Sequence, residues 1–117
     1  MSTLGKTWIL DLDGTIVKHN GYKLDGKDIL LSGAKEYLDE LPKDDRIIFL
    51  TSRKEEYREM TLEFLKENEI RYDDILFGIP YGERIVVNDR KTSGLDMAFS
   101  FNLERDKFNL PEIIRVL

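Results

Sequence analysis

Residues 7–15 read TWILDLDGT, an apolar run that ends in two acids separated by one residue, Asp11 and Asp13. The apolar part predicts a buried strand. If the strand continues through both acids, their side chains face one pocket, because strand residues i and i+2 lie on the same side. If the chain instead turns at Asp13-Gly14, a backbone carbonyl can face inward. In both cases the two like charges need a counter-charge, or one acid must take up a proton.

Short apolar runs alternate with amphipathic runs along the rest of the chain. Apolar residues at i, i+3, i+4 and i+7 predict a first helix over residues 34–41, and Pro42 ends it. The same spacing predicts a second helix over residues 57–65, with a capping box of Ser52 and Glu55 before it. The predicted strands are WILDL (8–12), RIIFL (46–50), DILF (74–77) and RIVVN (84–88), with AFSFNL (98–103) as a weaker fifth candidate for which a helix stays open.

This order of elements predicts an α/β fold. Strands joined through helices by short connections form a mainly parallel sheet with right-handed crossovers, in a doubly wound, Rossmann-like arrangement. Ligands of such sheets bind beyond the carboxyl ends of the strands. Asp11, Thr51 and Asp89 each stand at or just past the end of a predicted strand, so we expect them at one edge of the sheet.

The segment after the first strand predicts a small β-hairpin flap over this edge. Asn20-Gly21 is a favoured two-residue hairpin turn, and TIVKH and YKL on either side indicate two short strands. His19, the single histidine, is expected to be a turn residue. About 14 residues separate Thr15 from Ile29, fewer than the roughly 40 that an independent domain needs. We therefore expect no cap domain.

Length and composition narrow the class of protein. The chain of 117 residues fits one domain, 1–117. It has no cysteine, which excludes disulfides and thiolate metal ligands and favours a cytoplasmic location. Residues 1–7 lack the apolar core of a signal peptide, and no apolar stretch approaches the roughly 18 residues that span a bilayer. We expect no membrane partner for that reason, and no nucleic-acid partner because the net charge is −5 and no basic block is present.

A hard divalent cation is the simplest counter-charge for Asp11 and Asp13. Mg²⁺ prefers oxygen ligands and is bound by one or two carboxylates together with waters and phosphate oxygens. Asp89, next to Asn88 at the end of another predicted strand, would supply a further carboxylate. The sequence therefore predicts a magnesium site.

Three motifs in this order resemble the haloacid dehalogenase superfamily of phosphatases. They are DLDGT after the first apolar strand, Thr51-Ser52 after the second, and Asn88-Asp89 after a later one. The likeness extends from residue 7 to about residue 96. It is specific because DxDGT follows an apolar strand and the two later motifs come in the matching order.

The resemblance implies a role for each matching position. Asp11 would be the nucleophile that forms an aspartyl-phosphate. Asp13 would protonate the leaving alcohol and later deprotonate the attacking water. Thr51 and the backbone at Ser52 would bind the phosphate. Mg²⁺ would be held by Asp11, the main-chain carbonyl of Asp13, and Asp89.

One departure from the family's pattern concerns a lysine. Short members commonly carry it directly before a proline in the loop after the third strand, where this chain has Ile79 before Pro80. Arg84 is not expected to replace it, because about five strand residues at ~3.3 Å each place Arg84 roughly 16 Å from Asp89. The expected substitutes are Arg53, Lys54, Arg90 and Lys91, and phosphate binding is assigned to Thr51, Ser52, Arg53 and Lys91.

The sequence thus predicts a Mg²⁺-dependent phosphomonoester hydrolase with an aspartyl-phosphate intermediate. The resemblance to short capless phosphatases of capsule and lipopolysaccharide pathways implies a phosphorylated sugar as substrate and a homo-oligomer that closes the site. Two alternatives stay open: a phosphatase of macromolecular substrates, and a weak or inactive phosphate-binding protein. A receiver domain is disfavoured, because its phosphoacceptor ends the third strand, where this chain has Phe77-Gly78.

Overall fold

In the computed structural model, which describes residues 1–115, three strands and three α-helices form the regular part of the fold. They are β1 (Thr7–Asp11), α1 (Gly21–Leu24), α2 (Ala34–Glu40), β2 (Arg46–Leu50), α3 (Arg58–Glu67) and β3 (Asp74–Leu76). A 3₁₀ turn, Glu55–Tyr57, leads into α3. The first three predicted strands and both predicted helices are confirmed, with ends that differ by one or two residues.

The sheet is parallel, with β2 between β1 and β3. The register pairs Asp11 with Leu50 and Leu50 with Leu76, so the three strands end side by side. We call this end of the sheet the carboxyl edge and the opposite end the amino edge. The expected α/β fold with a parallel sheet is confirmed.

Alternating strand residues and the apolar faces of the helices build the core. Phe49 of β2 and Leu38 of α2 are fully buried, as is Leu65 of α3. Burying one such side chain stabilises the fold by about 1.5–3 kcal/mol before the entropy of ordering it is counted. The buried cluster consists of Leu10, Leu12, Ile16, Val17, Ala34, Leu38, Leu41, Ile47, Phe49, Leu65, Ile70 and Ile75.

The strands predicted at 84–88 and 98–103 do not form. Residues 77–115 carry neither helix nor strand, and Ile85 and Val87 are 85% and 88% exposed. Within this segment, Nη1 of Arg84 is 2.9 Å from Oδ1 of Asp11, at the carboxyl edge. A strand that delivered Asp89 to this edge would place Arg84 roughly 16 Å away, at the amino edge. The two placements exclude each other.

A short helix replaces the predicted hairpin flap. Asn20 is left-handed, with φ 56°, and directly precedes α1. Its carbonyl accepts hydrogen bonds from the N–H groups of Lys23 and Leu24, so Asn20-Gly21 begins a helical turn and does not join two strands. In place of the predicted hairpin pairing, Val17 and Leu30 form an isolated antiparallel bridge.

A buried acid organises the amino edge. The carboxylate of Asp45 accepts hydrogen bonds from the backbone N–H of Lys6 and from Nε1 of Trp8, both at 2.9 Å. Arg115 closes the site, with Nη2 2.7 Å from Oδ2 of Asp45. Burial is the largest influence on the pKa of Asp45 and acts to raise it, but the hydrogen bonds and the charge of Arg115 outweigh burial and lower that pKa.

Within residues 1–115, no helix combines the length and the apolar character needed to cross a membrane.

Candidate active site at the carboxyl edge

The two acids leave the sheet on a tight loop after β1. The carbonyl oxygen of Leu12 accepts hydrogen bonds from the N–H groups of residues 15–17, which folds the chain back. Gly14 permits the turn with φ +86°, a left-handed conformation that is costly for a residue with a Cβ. Leu12 is 1% exposed and belongs to the core cluster. Of the two geometries left open by the sequence, the turn at Asp13-Gly14 is the one observed.

Asp13 is held from two sides by residues that follow β2. Oγ1 of Thr51 donates a hydrogen bond of 2.6 Å to Oδ2 of Asp13. Nε and Nη2 of Arg53 donate to Oδ1 at 3.0 and 2.8 Å. Thr51 is fully buried, and the side chain of Asp13 is 16% exposed. Thr51 therefore orients Asp13, whereas the sequence predicts that its hydroxyl binds phosphate.

Arg53 joins Asp13 to Asp28, an acid that no motif singles out. Nη1 and Nη2 donate to the Asp28 carboxylate at 2.9 and 2.6 Å, and Nη1 also donates to Oγ1 of Thr61 at 2.8 Å. With the two bonds to Asp13, these use all five N–H groups of the guanidinium. In this arrangement Arg53 positions Asp13 and has no N–H left for the phosphate contact predicted from the sequence.

The surroundings of Arg53 keep it charged. Burial has the largest influence on the pKa of Arg53 and acts to lower it, but hydrogen bonds and charges from Asp28 and Asp13 outweigh burial and raise that pKa. Its guanidinium also stacks on the ring of Tyr22, 3.9 Å from the centroid. Sequence reasoning missed Asp28 because a lone acid between Lys27 and Ile29 is typical of a surface position.

Asp11 is the accessible acid of the pair, with a side chain that is 40% exposed. Its Oδ2 accepts a hydrogen bond of 3.3 Å from Oγ1 of Thr15, and its Oδ1 accepts one of 2.9 Å from Arg84. The expectation that Arg84 lies at the opposite edge is wrong, because it assumed a strand at 84–88. Arg84 supplies a cation at the carboxyl edge. No sequence motif marks this role.

Asp89 does not join these acids in a magnesium site. It lies on the exposed irregular segment, where Nδ2 of Asn88 donates to its carbonyl oxygen at 3.1 Å. In the described part of the chain, no three His, Cys, Asp or Glu side chains are grouped to hold a metal ion. Asp11 and Asp13 provide oxygen ligands that Mg²⁺ accepts, but the predicted third carboxylate is elsewhere. The donor set as described does not fit the predicted site.

Two further predicted cations, Arg90 and Lys91, lie beside an exposed turn at residues 92–93. Nε of Arg90 is 2.6 Å from Oδ1 of Asp96, and the N–H of Lys91 donates to the carbonyl oxygen of Leu95 at 2.9 Å. Among the ion pairs of residues 1–115, Asp11 is paired with Arg84 and Asp13 with Arg53. The structure thus does not bring Lys91 to either acid.

Ser52 lies next to the site but does not cap the following helix. The predicted capping box is absent because Glu55 pairs with Arg58 instead, at 2.6 and 2.8 Å. Lys54 precedes the 3₁₀ turn. Both Ser52 and Lys54 line a cleft beside Arg53.

Residues near the end of the chain return to the loop that carries the acids. The N–H of Asp106 donates to the carbonyl of Gly14 at 2.8 Å, and its Oδ1 accepts from the N–H of His19 at 2.6 Å. A Cβ on Gly14 would lie 3.3 Å from Cγ of Arg105, so the stem of Arg105 packs on the loop. His19 is a loop residue, as expected.

Comparison with known proteins shows that this chain is similar to chains of two solved structures. No family model matches the chain, and no curated protein matches it. A chain in "Structure of Pnkp1/Rnl/Hen1 complex" aligns with a TM-score of 0.56 and 30% identity over 73% of this protein. A chain in "Structure of the Pnkp1/Rnl/Hen1 RNA repair complex" aligns with a TM-score of 0.56 and 30% identity over 72%. This protein spans only 32% and 29% of those two chains.

The likeness corrects the expectation that no nucleic acid is involved. That expectation rested on a net charge of −5. The matched chains belong to an RNA repair complex, so the exclusion is wrong. Net charge is a sum over the whole chain and says little about one edge of a sheet, where two or three cations can decide what binds.

Proposed function

We propose that this protein is a phosphomonoester hydrolase of the haloacid dehalogenase type, with Asp11 as the nucleophile. The observation that supports the proposal is the contrast between the two neighbouring acids. Asp11 is exposed at the carboxyl end of β1, while Asp13 is fixed by Thr51 and Arg53. One carboxylate is free to react and the other is positioned to handle protons. The doubly wound, Rossmann-like arrangement stays a prediction, because residues 77–115 add no strand to the three-stranded parallel sheet.

In the first step an Oδ atom of Asp11 attacks the phosphorus. An O–P bond forms, the bond to the leaving oxygen breaks, and Asp13, in its protonated form, gives that oxygen a proton. In the second step Asp13 takes a proton from water, which attacks the aspartyl-phosphate and releases inorganic phosphate. Oδ2 of Asp13 accepts one hydrogen bond from Thr51, which leaves a lone pair for this proton.

Arg84 supplies the positive charge that the absent lysine would otherwise bring. Its guanidinium contacts Oδ1 of Asp11 through Nη1 alone, so further N–H groups can reach a phosphate oxygen. A phosphate bound there would be neutralised by the same cation that holds the nucleophile. Such fixed donors commonly contribute about 10²- to 10³-fold in rate.

We infer that the substrate is the phosphate at the end of an RNA strand. The chains that this protein resembles at 30% identity come from an RNA repair complex, and a broken strand presents its phosphate at an end. A nucleophile that is 40% exposed can be reached by the end of a long polymer. This is the macromolecular alternative that the sequence leaves open.

Magnesium stays a prediction. In the sequence prediction Asp89 reaches the carboxyl edge on a strand of residues 84–88, and such a strand would take Arg84 away from Asp11. The decisive measurement is phosphate release by the wild type and by Asp89→Asn over a range of Mg²⁺ concentrations. If half-saturation by Mg²⁺ is unchanged in Asp89→Asn, the predicted ligand role of Asp89 is wrong.

The function is tested by steady-state phosphate release from short oligoribonucleotides that carry a 3′- or a 5′-phosphate. We expect turnover of at least one of them by the wild type and none by Asp11→Asn. Asp39→Asn is the matched control, because Asp39 is also an exposed aspartate in an ion pair, 45% exposed and 2.6 Å from Lys35. Failure of the wild type to release phosphate from either oligonucleotide would overturn the proposal.

A second candidate is a phosphate-binding protein without turnover. It is favoured by Ile79 at the place of the usual lysine and by the absence of a three-carboxylate metal group in the described residues. Saturable binding of a 3′- or 5′-phosphorylated oligonucleotide, without phosphate release over hours, would identify this second function.

A further inference from the structure

A cleft with three tyrosines lies directly beside the candidate active site. Arg53, the residue that positions Asp13, forms part of its wall. Ser52, two lysines and one acid also line it. The residues that matter are Tyr22, Tyr57, Tyr81, Lys23, Lys54 and Glu56.

Two of the tyrosines are fixed by packing. The rings of Tyr22 and Tyr57 meet edge to face with centroids 4.9 Å apart, and Arg53 covers one face of Tyr22. Burial raises the pKa of Tyr22, the largest effect on that group, so its phenol stays neutral and does not repel an anion. These two rings pack against each other and Arg53, and both line the cleft.

Tyr81 differs from the other two tyrosines because its side chain is open to solvent. It is 88% exposed, an unusual position for a large aromatic ring. Tyr81 lines the same cleft as Lys23 and Lys54. An aromatic face that is open to solvent, with positive charge nearby, is the kind of surface on which unpaired bases stack. Lys23 and Lys54 supply positive charge for the backbone phosphates, against the single acid Glu56.

We propose that this cleft is a stacking subsite for an unpaired nucleobase next to the end of a single-stranded nucleic acid, with Tyr81 as the stacking residue. The inference rests on the proposed function for the placement of the terminal phosphate at Asp11. A base in the cleft would contact Tyr81 on one face, and the adjoining phosphates would contact Lys23 and Lys54. Base-paired ends would bind weakly, because their faces are already stacked.

The test is a binding measurement that is independent of turnover. Fluorescence anisotropy would follow the full chain with labelled hexauridylate that has hydroxyl groups at both ends, so that there is no phosphomonoester to hydrolyse. An abasic hexamer of the same backbone is the second probe. We expect Tyr81→Ala to weaken hexauridylate binding by about tenfold and to leave binding of the abasic hexamer unchanged.

Two control variants separate stacking from general effects. Tyr81→Phe keeps the ring and should keep the affinity. Val87→Ala truncates another side chain that is 88% exposed, outside the cleft, and should have no effect. Lys23→Gln and Lys54→Gln should each reduce the slope of log affinity against log salt by about 0.7.

Equal affinity for hexauridylate and the abasic hexamer, or unchanged binding in Tyr81→Ala, would overturn the proposal. Its failure is distinguishable from failure of the phosphatase function. Base-dependent binding without phosphate release from phosphorylated oligonucleotides would support the cleft and contradict the enzyme. Phosphate release without base-dependent binding would do the reverse.

Discussion

Each edge of the sheet carries an aspartate held by an arginine, and the two sites differ in what stands beside that pair. At the amino edge, the side chain of Asp45 is 0% exposed and every group around it is part of the fold. At the carboxyl edge, Asp13 is paired with Arg53 in a similar way, but Asp11 stands next to it with 40% of its side chain exposed.

The difference teaches how a structural network becomes a reactive site. A carboxylate whose lone pairs are all taken by protein donors is fixed and does nothing further. The carboxyl edge adds one acid that the network does not enclose. Because Asp11 is restrained by Thr15 and Arg84 but remains accessible, it is the acid that can attack phosphorus, whereas Asp13 is left with proton transfer.

The largest expected effect is the loss of activity in Asp11→Asn. We expect phosphate release to fall at least about 10⁴-fold, because an amide is a poor nucleophile. The free energy of unfolding should change by less than about 1 kcal/mol, because the Asp11–Arg84 pair is at the surface. The two quantities are measured by steady-state kinetics and by urea denaturation. Substantial unfolding of Asp11→Asn would mean that Asp11, like Asp45, mainly stabilises the fold, and the difference between the two edges would disappear.

Arg53→Gln should affect stability more than any other single change at the carboxyl edge. It leaves Asp13 and Asp28 without their shared cation, and breaking a buried pair in this way costs about 3–5 kcal/mol. Arg46→Gln is the control, because Arg46 is an exposed arginine at the start of β2. A loss below about 1 kcal/mol in Arg53→Gln would mean that the buried network contributes little to the fold.

Arg84→Gln tests whether the cation beside Asp11 contributes to catalysis and not to stability. If Arg84 orients the phosphate, kcat/KM should fall by about 10²-fold while the free energy of unfolding stays within about 1 kcal/mol. Arg84→Lys should recover part of the activity, because it restores the charge. An equal loss in both variants would show that geometry and not charge is what Arg84 provides.

The smallest expected effect is the pH dependence of the amino edge. The pKa of Asp45 is lowered in the fold, so its contribution is present above its unfolded pKa of about 4 and is lost as pH falls through the lowered value. Asp45→Asn should be less stable than the wild type by about 2 kcal/mol at pH 7, and the gap should close toward pH 2. Activity per folded molecule should be unchanged. A gap that is constant with pH would contradict the role of the charge.

The sequence predicts the half of the fold in which periodicity decides the structure. The strand at 46–50 and the helix at 34–41 follow from the spacing of their apolar residues. Only that secondary structure places those residues together on a buried face. The motif DLDGT likewise predicts where Asp11 and Asp13 stand. Thr51 was correctly placed at the end of β2, but its contact with Asp13 depends on a turn that a motif does not encode.

What could not be predicted depends on contacts between distant residues. The run at 84–88 has the composition of a strand, yet Arg84 at its start lies at the carboxyl edge and pairs with Asp11, 73 residues away. Asp28 and Tyr22 acquire their importance only through Arg53, and no local pattern marks them. Local periodicity predicts elements, whereas the partners of a buried charge are decided by tertiary packing.

The most direct measurement is chemical trapping of the phosphorylated aspartate. The wild type is mixed with a phosphorylated oligoribonucleotide, quenched in acid, reduced with borohydride and digested for peptide mass spectrometry. Reduction converts an aspartyl-phosphate to homoserine, so we predict homoserine at position 11, and none without substrate or in Asp11→Asn. Phosphate release that continues in Asp11→Asn, or trapping at another aspartate, would contradict the assignment of Asp11 as the nucleophile.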